Sequence, residues 1–529
     1  MLSGESTAQE QSAKQSQQEF KSHVGVISRQ GGVFFAGTMF TAVAGYVFKI
    51  YLARTLGSEA LGIYALGMTV VGLFGVFGGL GISWAALRFP PAYASTGRGA
   101  ELRAFMFWGL LILCTVNGLL AGGVVLARRW VAVRLYHTPA LSGYLYLFAL
   151  ILFMGEMTTF FGQLLTGFKG TAARAIITNF VGVLVNIVFA VALISAGTGL
   201  WGYIVAQLGS SAVVLVLLVW VTRKRMPAVP AGRETGKIFY PKREMFSFAA
   251  AAFVMDLTAF LYGQTDKVIL GSYLNARTVG IYSVAATIVG FVTIALQSVN
   301  QIFSPTIAEL HARGQFELLN RLFQTLTKWV VGLTLPLAAV VIVFSRVLMR
   351  VFGPEFEQGW IILVIGTVGQ LVNCGTGSVG YLLLMSGNEK RLVRIQIVMA
   401  VGTVLSCLML VSRFGITGAA IATAACNVAT NIWCLVQVKK VLGLFPYNRS
   451  YWILAAPSVV TIAAALGLRI GLQSVRADIA VLVLSTVVVY ILFLGTILLM
   501  GLEAEDRMIA SAIWARVRGS LPVLRGSES

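Results

Sequence analysis

Residues 104–126 read AFMFWGLLILCTVNGLLAGGVVL, twenty-three residues without a charge, with Arg98 and Arg103 before them and Arg128 and Arg129 after. As an α-helix the stretch is about 35 Å long at 1.5 Å per residue, enough to cross a hydrocarbon core about 30 Å thick. A helix on the surface of a water-soluble domain keeps one polar face, and this stretch has none. It is read as a membrane crossing, with the arginines as interfacial anchors.

Similar stretches lie near 31–53, 60–83, 143–166, 173–195, 200–222, 246–270, 278–302, 328–350, 359–385, 392–412, 416–438, 451–471 and 477–501. The expected fold is therefore all-α and polytopic, with about fourteen transmembrane helices. Composition agrees: of 529 residues 57% are hydrophobic and 11% charged, whereas a soluble domain carries about 25% charged residues. The formal charge of +20 would point to nucleic acid in a soluble protein. Here the positive-inside rule accounts for it, and no nucleic-acid partner is expected.

The first thirty residues are polar and lack the apolar region of a cleavable signal, which predicts a cytoplasmic N-terminus. Fourteen crossings then return the tail to the cytoplasm. Basic residues support this orientation: Arg88, Lys169, Arg174, Arg223, Lys224 and Arg225 fall in predicted inner loops, and outer connections carry far fewer. The expected organisation is a polar tail over 1–30, a six-helix bundle over 31–222 and a basic cytoplasmic linker over 223–245. A second bundle over 246–440, two further helices over 441–501 and an amphipathic cytoplasmic tail over 502–529 follow. Cys114, Cys374, Cys407, Cys426 and Cys434 lie in apolar runs without CxxC spacing, and no metal or cofactor site is expected.

The two halves repeat. Leu56-Gly57-Ser58 followed by Gly62-Ile63-Tyr64 returns as Leu270-Gly271-Ser272 and Gly280-Ile281-Tyr282. Pro91, Gly97 and Glu101 answer to Pro305, Gly314 and Glu317, and Gly199 and Gly202 to Gly415 and Gly418, all at offsets of 214–218 residues. A period of six crossings keeps both halves in one orientation, which predicts two pseudo-symmetric bundles around a central cavity.

Ala53-Arg54-Thr55-Leu56-Gly57, Gly62-x-Tyr64, Asp266-Lys267-x-x-Leu270-Gly271 and Val351-Phe352-Gly353-Pro354-Glu355-Phe356 together resemble the oligosaccharide-flippase family. That family lies within the multidrug/oligosaccharidyl-lipid/polysaccharide exporter superfamily. The resemblance implies a flippase for undecaprenyl-pyrophosphate-linked oligosaccharide, such as an O-antigen, capsule or exopolysaccharide unit, working by alternating access in the bacterial cytoplasmic membrane. Polysaccharide polymerase and glycosyltransferases would be its partners. The chain has no G-x-x-x-x-G-K-[ST] motif, so coupling to a proton, a sodium ion or the membrane potential is expected instead of ATP hydrolysis.

A pyrophosphate in a low-dielectric cavity needs cations, and charges inside crossings are costly enough to be functional hypotheses. Lys49, Arg54, Arg88 and Lys267, with Gln264 beside the last, are the candidates for substrate binding. Glu156, Asp256 and Asp266 are the candidates for ion coupling; Asp256, Gly263 and Lys267 are spaced to share one helical face. Gln297, Asn300, Gln301, Gln370 and Asn373 are donors and acceptors for sugar hydroxyls. Competing readings are snorkelling or anchoring for the cations, a protonated structural carboxyl, and helix-to-helix hydrogen bonding for the amides. The glycine cluster Gly75-Val-Phe-Gly-Gly-Leu-Gly81 reads as close helix packing. Rival functions are a peptidoglycan lipid-precursor flippase, a multidrug antiporter, and an oligosaccharide polymerase. The last is an enzyme, disfavoured because His23, His137 and His311 are scattered and no long outer loop appears.

Overall fold

The computed structural model describes residues 2–226, 243–473 and 478–500, with side chains from residue 37 onward except at 243, 244, 302 and 450. The sequence-predicted C-terminal amphipathic tail and most of the basic linker lie outside the described residues. Among the described residues seventeen α-helices form and no strand occurs. The chain divides into two compact units, 1–260 and 261–529.

The first unit begins with α1 (Leu2–Gly79), α2 (Ile82–Ser95), α3 (Gly99–Trp130) and α4 (Leu145–Gly167). It continues with α5 (Thr171–Ala175), which runs through a π turn into α6 (Gly182–Ser195), then α7 (Gly199–Arg225) and the first part of α8 (Arg243–Tyr273). Phe89, Phe105, Leu113 and Phe160 form its main cluster, from α2, α3 and α4. In lipid the tails are as apolar as leucine, so close packing holds helices together and small residues set how close they come. Gly167 illustrates this: a Cβ there would stand 2.6 Å from the Leu87 carbonyl oxygen of α2.

The second unit contains the rest of α8, α9 (Ala276–Phe291), α10 (Ile294–Ala312), α11 (Phe316–Val343) and α12 (Ser345–Arg350). After it come α13 (Trp360–Thr376), α14 (Val379–Met385), α15 (Glu389–Leu442), α16 (Ala455–Gly471) and α17 (Asp478–Met500). Phe303, Phe323, Leu382 and Val438 centre its largest cluster. A smaller one, around Phe344, Ala465 and Val489, seats α16 and α17 on α11. In both units large apolar side chains face outward, Leu119, Leu126 and Leu499 among them, as a lipid-facing surface requires.

Among the described residues eleven helices are long and apolar enough to cross a membrane, or twelve with the pair α9 and α10, which bend by 50°. Sequence patterning predicts about fourteen. The difference falls on two helices. Residues 37–79 and 389–442 run for 43 and 54 residues, roughly twice what one crossing needs. Each is interrupted at a single glycine, Gly57 (φ 80, ψ 175) and Gly415 (φ 55, ψ −130). The sequence reading places short outer connections here, carrying Arg54 and Arg413. A glycine with positive φ changes the direction of the chain without a loop. Two more expectations shift: the crossing expected over 359–385 breaks at Gly377 into α13 and α14, and that over 328–350 is α11, which begins twelve residues earlier and ends at Val343, followed by α12.

Candidate functional site

In the first unit, the turn at Gly57 puts Phe48 and Lys49, before it, and Tyr64, after it, on one cavity of about 500 Å³ with Tyr203 and Gln207 of α7. The Tyr64 hydroxyl donates to Gln207 Oε1 at 2.5 Å, and the Tyr64 and Tyr203 rings lie 4.7 Å apart. An ammonium beside phenols and amides offers donors to phosphate or sugar oxygens. Lys49 is half-buried in this wall.

The mid-span carboxylates lie elsewhere in the same unit. Glu156 of α4 faces the glycine cluster: a Cβ at Gly75 would stand 3.2 Å from its Oε1 and one at Gly79 3.0 Å from its Oε2. Asp256 of α8 accepts from Trp84 Nε1 at 3.2 and 3.3 Å and is within electrostatic reach of Glu156. Asn117, fully buried in α3, donates to the Gly78 carbonyl at 3.0 Å and to Leu113 O at 2.9 Å. Gly81 (φ 69) meets the Ala249 carbonyl of α8, which a Cβ would approach to 2.1 Å. Each glycine of the cluster thus admits a named polar group, and the packing reading of the cluster describes it well.

The second unit has its own polar cavity, about 370 Å³, lined by Tyr262, Asp266, Tyr282, Gln370, Thr423 and Asn427 among others. Asp266 is 6% exposed and accepts from the Tyr282 hydroxyl at 2.7 Å and from the Lys267 backbone N–H at 2.8 Å. Tyr282 also contacts Thr423 Oγ1 at 3.2 Å. Tyr262 donates to Asn427, Asn427 to Gln370, and Asn373 to Gln370. A carboxylate with several amide and hydroxyl oxygens can hold a small cation or a proton, or bind hydroxyls.

Gln264 and Lys267 are brought together: Lys267 Nζ donates to Gln264 Oε1 at 2.9 Å. Gln297, Gln370 and Asn373 line the second cavity, while Gln301 is exposed. Arg54 is exposed. Arg88 is exposed too, its guanidinium 5.1 and 5.4 Å from the ring centres of Phe248 and Phe89. Asp256 and Lys267 both lie on α8, Asp256 in the first unit and Lys267 in the second. Sequence reasoning missed Lys328, 4% exposed within α11, because the crossing was expected to start there. It also missed Trp84, Gln207, Thr423 and Asn427 as partners. The internal repeat carried a signal for two of them: Tyr64 and Tyr282 are 218 residues apart, and their partners Gln207 and Thr423 are 216 apart. Two pairs of repeat glycines match in conformation, Gly97 with Gly314 (both φ 70) and Gly199 with Gly415 (φ 59 and 55), whereas Gly57 (φ 80) answers to Gly271, which is helical within α8.

Residues 27–311 match the family described as "Polysaccharide biosynthesis protein", and 251–404 match MatE. Two Haloferax volcanii proteins are similar in sequence. "Probable flippase AglR" is 22% identical, over 79% of this chain and 85% of its own length. "Probable low-salt glycan biosynthesis flippase Agl15" is 21% identical, and the match spans only 46% of its length and 40% of this chain. In fold, the chain is similar to the lipid II flippase MurJ in an inward closed conformation. The TM-score is 0.62 at 14% identity, over 87% of this chain and 97% of that one. An inward-facing multidrug resistance MATE transporter gives 0.60 at 15% identity, over 78% and 98%. More than half of the sequence thus matches one family model, and the chain belongs to the polysaccharide biosynthesis protein family, within the multidrug/oligosaccharidyl-lipid/polysaccharide exporter superfamily.

Proposed function

We propose that this protein is a flippase that moves a polyprenyl-pyrophosphate-linked oligosaccharide from the inner to the outer leaflet of a bacterial cytoplasmic membrane, with undecaprenol as carrier. The observation that carries the reading is Lys49 in the wall of a polar cavity inside a bundle of spanning helices, in a chain whose family is named for polysaccharide biosynthesis. Lys49 in the first unit takes the pyrophosphate, and Lys267 with Gln264 is the second unit's candidate for binding substrate. Arg54 and Arg88 meet the headgroup at the interface. Glu156, Asp256 and Asp266 couple the cycle to a proton or sodium gradient by exchanging the ion as their exposure changes. No bond is made or broken in the substrate.

The test is leaflet accessibility of undecaprenyl-pyrophosphate oligosaccharide in vesicles containing the purified protein. Wild type should translocate it, and Lys49→Ala and Lys267→Ala should each lower the rate at least about tenfold, the effect of one lost charge-assisted contact of roughly 1.4 kcal/mol. Folded wild type that moves lipid II or a cationic drug and none of a range of oligosaccharide lipids would replace this reading with a rival transporter.

A further inference from the structure

A second space in the first unit is unlike the polar cavities. It measures about 350 Å³, lies between α2, α3 and the first part of α8, and is lined by twelve residues, all apolar. Its back is small and buried, Ala85, Gly109 and Ala249, and its rim is aromatic, with Trp108 43% and Phe246 57% exposed. Small residues at the back and exposed rings at the front make a slot open to hydrocarbon, not a void within a core.

Two contacts between α2 and α8 flank the slot. Gly81 lets the start of α2 touch the α8 backbone at Ala249. Phe248, the adjacent residue on α8, packs edge-on to Phe89 further along α2, with ring centres 5.8 Å apart, and lies under the Arg88 guanidinium. Ile82 and Ala85 line the slot, and Arg88 continues the same i, i+3 stripe of α2. Arg88 is outside the twelve lining residues, one turn beyond Ala85, and puts a cation beside the apolar slot.

That combination selects among anionic lipids. A phospholipid separates its phosphate from two chains by glycerol. An isoprenoid diphosphate joins the anion directly to one methyl-branched chain. A guanidinium binds the diphosphate oxygens in pairs, and ring edges accommodate methyl branches. We propose that the slot holds the first isoprene units of the carrier lipid while Arg88 holds the diphosphate, so that substrate docks on the first unit from the side. The inference rests on the flippase reading for its substrate class.

The test uses a photoreactive farnesyl diphosphate with wild-type protein in vesicles, mapping the labelled peptides. Labelling should fall on 105–112 and 245–253. A tenfold excess of undecaprenyl pyrophosphate should suppress it, and phosphatidylglycerol should not. Ala250→Trp, which fills the slot from its exposed side, should lower labelling at least about tenfold through lost apolar burial. Arg88→Gln should weaken competition by undecaprenyl pyrophosphate and leave competition by undecaprenol unchanged. Equal suppression by phosphatidylglycerol, or labelling confined to other helices, would overturn the proposal. Translocation measured on the same vesicles separates the two ideas. Slot labelling without translocation of any glycan supports the slot and counts against the flippase. Translocation with labelling elsewhere does the reverse.

Discussion

Asn117 sits fully buried in the uncharged body of α3 and holds that helix to the Gly78 carbonyl of α1. Interhelical hydrogen bonds in membranes average about 0.6 kcal/mol, so Asn117→Leu, of nearly the same shape, should lower stability by well under ~2 kcal/mol. Gly78→Ala should cost more, about 1–3 kcal/mol, since its Cβ would stand 2.1 Å from Asn117 Oδ1. Adding Asn117→Ala should restore part of that loss. Thermal unfolding of the single and double variants in one detergent checks both the order and the rescue. At this scale the sequence was partly legible. Glycines spaced at 75, 78, 79 and 81 announce close approach, but nothing local says that Glu156, Asn117 and Ala249 are what approaches. Lys328 is illegible for a different reason: α11 begins with about three turns rich in polar residues, so hydropathy alone places the helix start twelve residues late.

Helices were easier to find than their breaks. Hydrophobic runs of about 20 residues are set by bilayer thickness and so are visible in composition. Whether two runs are joined by a loop or by one residue depends on a single φ. Gly57, with φ 80 and ψ 175, occupies backbone space that is essentially glycine-only. Gly57→Ala should therefore destabilise by about 1–3 kcal/mol, and Gly415→Ala by a similar amount. Gly122→Ala, within the helical body of α3 with open space around its Cα, is the control and should stabilise slightly or do nothing. Loss of thermal stability at positions 57 and 415 but not at 122 is the expected pattern. The bend between α9 and α10 was equally hidden. Thr293, whose hydroxyl donates to the Gly290 carbonyl at 2.9 Å and accepts from Gln297 at 2.9 Å, reads in the sequence as one more polar residue in a span.

For the whole molecule, the repeat was the most legible feature, because matched glycines and tyrosines leave a fixed offset that needs no knowledge of helix rotation. Which polar side chains line a cavity does depend on rotation, and there the reading was mixed. Lys49 and Asp266 line cavities; Arg54 and Arg88 are exposed. Coupling is a property of the complete transport cycle and is tested as such. Glu156→Gln and Asp266→Asn keep shape and remove charge. If a site carries the coupling ion, its variant should lose stimulation by an imposed proton or sodium gradient and retain exchange without a gradient. A variant equal to wild type under both conditions would return that carboxyl to a structural role.

The glycine breaks also bear on how the topology of this protein can be mapped. Reporter fusions, inserted epitopes and limited proteolysis all depend on a stretch of several residues between crossings. Around Gly57 and Gly415 the helix resumes after one residue. Insertions there should abolish expression and leave no sidedness to read, whereas insertions at 96–98, beyond the end of α2, should be tolerated and informative.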